Sequence, residues 1–422
     1  MIGLIVCSFV LGDWRGSTYH HQLDRYDAYV GVKQTVSVTA LSDAVYDLKK
    51  QLTFDAQDVT IGAEHLKGKI AVSGFGENMV FKGDRLFVTG SMRAARGSYK
   101  ARISFAALQV QYHHDTLIDR WRRQFAAALT STLPEPLAPF GMGLLIGQRN
   151  TLPKETSDTL LWVGLTHIIA VSGYNLTILL QASRRLLNKG SKYQTLLLSL
   201  GLIGTFLLFS GNSPSIVRAA IVSSLGLLAW YYGRQFNAVL LILLTAVITS
   251  WANPSYVWSD SGWYLSFLAF AGILILAPAL KHYLPHRLAG SLIGGMVLES
   301  ICAELMTLPY LLYVFGQTSV VALVANIAVA SFVPLAMLCT MIAGLAGLWL
   351  PLWAGYFAWP ANMILNYMLD ACALLSRVPH VFVENFYISL AGMMLWYATV
   401  AVSCVILSKK NAIITDRNQL LT

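Results

Sequence analysis

Charge is scarce in this 422-residue sequence: Asp, Glu, Lys and Arg make up 12% of it, against 56% hydrophobic residues. A soluble fold cannot hide that much apolar surface from water, so an all-soluble chain is excluded. Cysteine is also sparse. The five thiols, Cys7, Cys302, Cys339, Cys372 and Cys404, all lie in apolar runs, and none forms a C-x-x-C pair. That excludes a disulfide framework and a paired-thiolate zinc site, and leaves them as small apolar packers. No G-x-x-x-x-G-K-[ST] stretch occurs, so the chain has no P-loop for nucleotide hydrolysis. His20–His21 and His113–His114 lack any further ligand spacing, and neither a metal nor another cofactor is expected.

The scarcity is uneven. Asp13–Leu133 holds 16 Lys or Arg and 12 Asp or Glu, a density ordinary for a soluble domain. Pro134–Thr422 holds only 14 and 9 in more than twice the length. The formal charge of +9 divides as +4 and +5 between these parts. Cytoplasmic loops of membrane proteins are basic in any case, so this balance alone does not point to nucleic acid.

Residues 28–112 read as β. Short alternating runs at 29–40, 59–61, 69–73, 86–91 and 102–111 are separated by turn formers such as SGFGEN (73–78) and KGD (82–84). About five short strands suit a small barrel, of which the OB-fold is a common type, and the domain is placed at 13–115. Residues 1–12 are apolar and too short to span, and are expected to be the end of a membrane helix. From Thr116 the period turns helical: Leu117, Trp121, Phe125 and Leu129 share a stripe beside Arg120, Arg122 and Arg123. Residues 116–136 are therefore an amphipathic connecting helix lying along the membrane surface.

The remainder, 137–408, reads as about eight to ten membrane spans, followed by a tail at 409–422. Spans are expected near 164–183, 194–211, 214–233, 236–253, 262–280, 288–309, 318–333, 335–350 and 387–407. The stretch 352–377 is a more amphipathic candidate, and 137–147 a short re-entrant helix. Basic loops recur at Arg184, Arg185, Lys189 and Lys192, at Arg234, at Lys281 and Arg287, and at Lys409 and Lys410. The loops between them at 211–213 and 253–261 hold no Lys or Arg. All the basic loops can share the cytoplasmic face, which sets the C-terminus inside and the β domain outside the membrane.

Polar residues inside apolar spans are the first functional candidates. His167, Ser172 and Asn175 stand in VGLTHIIAVSGYNLT (163–177), where His167 and Asn175 face one way on a helix. Such groups either line a wet path or hydrogen-bond between helices and specify packing. Glu299 and Glu304 lie in one span, where each carboxylate costs roughly 2.5–3.5 kcal/mol on insertion scales. Five residues apart, they point about 140° from each other, which disfavours a shared metal site and favours pairing with Arg149 or Arg218, or a wet cavity. Arg218 stands early enough in its span to snorkel. Asp260 and Trp263, at the outer end of a span, are placed to shape a mouth.

In the β domain, Lys82, Arg85, Arg93, Arg96, Lys100 and Arg102 face a single acid, Asp84, with Phe81, Phe87, Tyr99 and Phe105 interleaved. Cations that track phosphates and aromatics that stack on bases are what a single strand needs. A solvated basic hairpin with its aromatics in the barrel core has the same sequence, so both readings stand.

THIIAVSGYNLTIL (166–179) resembles the signature of the ComEC competence family, a His followed by an apolar step and a Ser-Gly pair. GLLIGQRNTLP (143–153) is similar to the family's Gly-x-x-x-Gly-x-Arg stretch. SPSIVRAAI (213–221), NPSYVWSDSGWYLSFLA (253–269), AELMTLPYLLYVFGQTS (303–319) and the Asn326-containing ANIAVASFVP (325–334) follow in the family's order. This resemblance implies a bacterial inner-membrane channel that imports single-stranded DNA during natural transformation. An OB-like domain outside the membrane would guide the strand, with Asn326 among the residues shaping the path. It further implies no catalysis by this chain, and as partners an extracytoplasmic DNA receptor, a separate nuclease and a cytoplasmic helicase or ATPase. Two features depart from the family pattern. No H-x-H-x-D-H is present, which suits the form without a C-terminal metallo-β-lactamase-like domain, and Asn175 replaces the signature's second His. The rival readings are a secondary transporter or lipid exporter, and an intramembrane hydrolase centred on His167 and Ser172.

Overall fold

The computed structural model describes residues 12–419 apart from 20, 22, 42, 47–50, 78, 96–98, 114–115, 148–151, 170–175, 177–190, 211–213, 235–236, 255, 258–259, 282, 284 and 286–290. The chain forms two compact units, Met1–Gln124 with Val247–Ser261, and Phe125–Ala246 with Gly262–Thr422.

Seven strands build the sheet of the first unit: β1 (Lys33–Ala40), β2 (Val45–Tyr46), β3 (Leu52–Ile61), β4 (Glu64–Leu66), β5 (Ile70–Phe75), β6 (Arg85–Ala94) and β7 (Ala101–Tyr112). Alternation decides which side chains turn inward. Val36, Val38 and Ala40 of β1 are buried, as are Leu86, Val88 and Met92 of β6. On β7 the inward set slips by one, from Ala101 and Ile103 to Ala106 and Leu108. The slip is a β-bulge at Phe105, whose φ of +56° lies in the left-handed region. Antiparallel pairs join β1 to β3, β3 to β5, β7 to β6 and β6 to β1, while β5 and β7 run parallel. The pairing path therefore returns to the strand it began on; β2 and β4 are short additions to β3.

The second unit is helical. Helix α1 (Leu117–Thr132) holds the division between the units within it. There follow α2 (Leu137–Ile146), α3 (Lys154–Trp162), α4 (Thr166–Ile169), α5 (Lys192–Ser210), α6 (Pro214–Tyr231), α7 (Ala238–Ala252) and α8 (Ser261–Lys281). Then come α9 (Leu292–Val314), α10 (Ala322–Val329), α11 (Val333–Trp349), α12 (Ala354–Leu375) and α13 (Leu390–Gln419). One core gathers residues from α1 to α4 and α10 to α12, among them Phe140, Leu144, Leu160, Ala325, Ala336 and Leu365. Thr318–Ser319 (β8) pairs antiparallel with Phe382–Val383 (β9), and Val320 N–H donates to Val381 O at 2.9 Å.

Four helices among the described residues are long and apolar enough to cross a membrane: Ser261–Lys281, Gly294–Val314, Ala322–Trp349 and Leu390–Leu407. Leu137–Ile146, Lys192–Leu208, Ser215–Tyr231 and Ala238–Ala252 are apolar but shorter. The two spans expected at 318–333 and 335–350 instead form one helical run, with a 3-10 turn at Ala330–Phe332 ahead of Pro334. Pro334 sits in the first turn of α11, where its missing N–H leaves no helical bond unmade. The helix expected at 288–309 continues through Pro309 to Val314. Most of the span expected at 164–183, and the segment 1–11, lie outside the described residues.

Candidate functional site

On β6 and β7 the alternation that buries Leu86, Val88 and Met92 turns Arg85, Phe87, Thr89, Ser91 and Arg93 outward. Arg85, Arg93 and Arg102 are exposed, and none makes an ion pair among the described residues. Arg93 and Arg102 are direct cross-strand partners, so two like charges stand opposite each other, an arrangement that repels unless an anion lies between them. None of Phe81, Phe87, Tyr99 and Phe105 belongs to the buried core of the sheet. Phe105 is 64% exposed, turned out by the bulge. Its N–H donates to Gln51 Oε1 at 3.3 Å.

The remaining cations of this segment are less open. Burial, then the nearby Arg122 guanidinium, lowers the Lys82 ammonium below its usual range. Burial likewise lowers Lys100. Tyr99 O–H donates to Asp55 Oδ1 at 2.9 Å, and Lys69 Nζ lies 2.6 Å from Asp55 Oδ2 and 4.9 Å from the Tyr99 ring centroid. Asp55, Lys69 and Tyr99 thus tie β3, the start of β5 and the β6–β7 connection together. Sequence reasoning missed Lys69 and Asp55, because nothing in their spacing links residues of different strands. Arg96 lies outside the described residues.

In the helical unit, His167 is exposed on α4 and its Nδ1 lies 3.2 Å from Gly164 O. Arg149, Ser172 and Asn175 lie outside the described residues. Arg218 is 2% exposed and does not snorkel. Its Nη2 donates to Ser215 Oγ at 3.0 Å and to Gly262 O at 3.1 Å, and its guanidinium lies 5.3 Å from the Phe267 ring. A buried cation is thereby held against the first turn of α8, directly after Asp260. Trp263 packs on Tyr264 and Phe267, with ring centroids 5.2 and 4.6 Å apart.

Glu299 is exposed, and Glu304 and Asn326 are half-buried. No hydrogen bond or ion pair among the described residues joins these three side chains to one another or joins either glutamate to Arg218. The pairing expected between the glutamates and that arginine is not formed. Among the contacts of Arg218 are a serine hydroxyl, a backbone carbonyl and an aromatic face.

Three comparisons bear on this arrangement. The profile of the family described as Competence protein matches residues 144–410, more than half of the chain. ComE operon protein 3 of Bacillus subtilis (strain 168) is 25% identical over 242 residues, which make up 56% of this chain and 30% of that protein. The chain therefore covers well under two thirds of that relative's length. No solved structure matches the chain.

Proposed function

This chain belongs to the Competence protein family, and from that membership we propose that it forms the membrane passage by which one strand of DNA reaches the cytoplasm during natural transformation. The observation that carries the reading is the extent of the match, which takes in nearly all of the apolar helices. The sheet supports a finer part of it. A closed path of five strands with one parallel pair suits an OB-like barrel, a fold that binds oligonucleotides. Its outward Arg85, Phe87, Arg93, Arg102 and Phe105 combine cations with stacking surfaces, as sequence-tolerant single-strand binding requires.

On this reading the barrel stands outside a bacterial inner membrane and the C-terminus inside, as the basic loops imply. The chain does not catalyse a reaction. Duplex separation, degradation of the other strand and the pulling force fall to a receptor, a nuclease and an ATPase on other chains. Arg218, held at the start of α8, fixes helix geometry, Glu304 meets water, and Glu299 feels the charge of Lys281.

The test is internalisation of labelled DNA in a strain deleted for this protein, with and without the gene restored. Restored cells should protect the label from external nuclease and deleted cells should not. Equal protection in both would refute the passage.

A further inference from the structure

Helix α12 has two unlike faces. Ala358, Ala361, Leu365, Met368 and Cys372 are buried in the helical core. The other face carries Asn362, Asn366 and Asp370 at four-residue spacing, flanked by Trp359, Met363 and Tyr367. Together with Val324 and Ala328 of α10 these residues line an open groove of about 800 Å³.

Asn366 Nδ2 donates to Asn362 Oδ1, and Tyr367 O–H donates to Ala328 O at 3.3 Å. Asp370 makes no ion pair or hydrogen bond among the described residues, and the facing α10 wall offers only the small apolar Val324 and Ala328. Three hydrogen-bonding side chains in one row, ending in a carboxylate, are costly against lipid and cheap against water. The row thus lays a wettable strip along a groove whose other lining, Ala371, Leu374 and Leu375 included, is apolar.

We infer that this groove is a hydrated wall of the passage, and that the bases of a single strand slide along it. The inference rests on the channel reading above. The wall suits that cargo in three ways. Neutral amides hydrogen-bond to base edges of any sequence, and Trp359 and Tyr367 offer ring faces for stacking. Among the described residues the groove lining holds no Lys or Arg to trap phosphates. Asp370, at one end of the row, turns the phosphate backbone away from the helix and toward the Val324–Ala328 side.

The experiment uses the full chain in cells, with Cys7, Cys302, Cys339, Cys372 and Cys404 changed to Ala and a single cysteine placed by Asn366→Cys. Its reaction with a charged, membrane-impermeant thiol reagent is compared with that of Leu395→Cys, a 70% exposed position on the apolar helix α13. Labelling at least tenfold faster at 366 than at 395 is expected, slowed threefold or more while an imported strand is stalled by a bulky protein on its trailing end. Equal rates at 366 and 395 would overturn the hydrated wall. Fast labelling indifferent to a stalled strand, in cells that do import DNA, would overturn the strand's path while leaving the channel reading intact. Loss of import by the unmodified chain would fell the channel reading, and this inference with it. Met363→Cys, on the same face, gives the same readout should Asn366→Cys not accumulate.

Discussion

Arg93 and Arg102 face each other across β6 and β7 at a position where the folded protein gains nothing from two positive charges. Changing both to Gln should leave the fold as stable as before or slightly more so. On the binding reading it should also weaken single-strand binding by the detergent-solubilised chain. Each lost phosphate contact lowers the slope of log affinity against log salt by about 0.7 for single strands, so a fall of about 1.4 is expected, and an unchanged slope would remove these arginines from the interface. Lys69 and Tyr99 lead to a second test. Burial acts against the charge on Lys69, but the hydrogen bond and charge of Asp55 outweigh it and raise the ammonium above its usual 10.5. Burial and then Asp55 raise Tyr99 as well. A raised folded value means that stability is fully present below the unfolded value and is lost as pH climbs through the folded one. Denaturant midpoints followed by tyrosine signals should fall above pH 10.5, and Lys69→Met should flatten that fall.

At the scale of elements, β5 and β7 meet so closely that a Cβ on Gly74 would lie 2.2 Å from Ala106 O. Gly74→Ala should cost about 1–3 kcal/mol of stability, as overpacking does, seen as a lower thermal midpoint. A change under 0.5 kcal/mol, about the size of an ordinary surface substitution, would show that the strands can part at no cost. Helix α8 makes a similar approach: a Cβ on Gly272 would lie 2.4 Å from Cys302 O, within a π-helical turn at Gly272–Leu276. Alternation in β1 and β6 was plain in the sequence, because one side of each strand is sealed. The slip at Phe105 was not, because a bulge depends on its partner strand. Charge scarcity marked the apolar helices, but periodicity did not reveal that residues 322–349 form one run, since Pro334 reads equally well as a break or as a first-turn residue. The stretch 352–377 read as amphipathic, but the Asn362, Asn366 and Asp370 row was not singled out, because which side of α12 the core would claim depended on α10 and α11.

For the whole molecule, the basic loops make a claim about sidedness that sequence and family resemblance share. Gln109→Cys, exposed on β7, should react with an impermeant thiol reagent in intact cells, whereas a reporter fused after Thr422 should be active only inside. Reaction of this sheet domain only after lysis would overturn the proposed sidedness. Family membership was legible because its motifs follow one another in a fixed order along the chain. The roles of single side chains were less so, because Arg218 takes its partners from α6 and α8 and not from the glutamates that shared its sign logic. The β8–β9 pairing has a consequence for mechanics. It fastens the residues before α10 to those after α12, so these three helices leave and rejoin the common core at a single clasp.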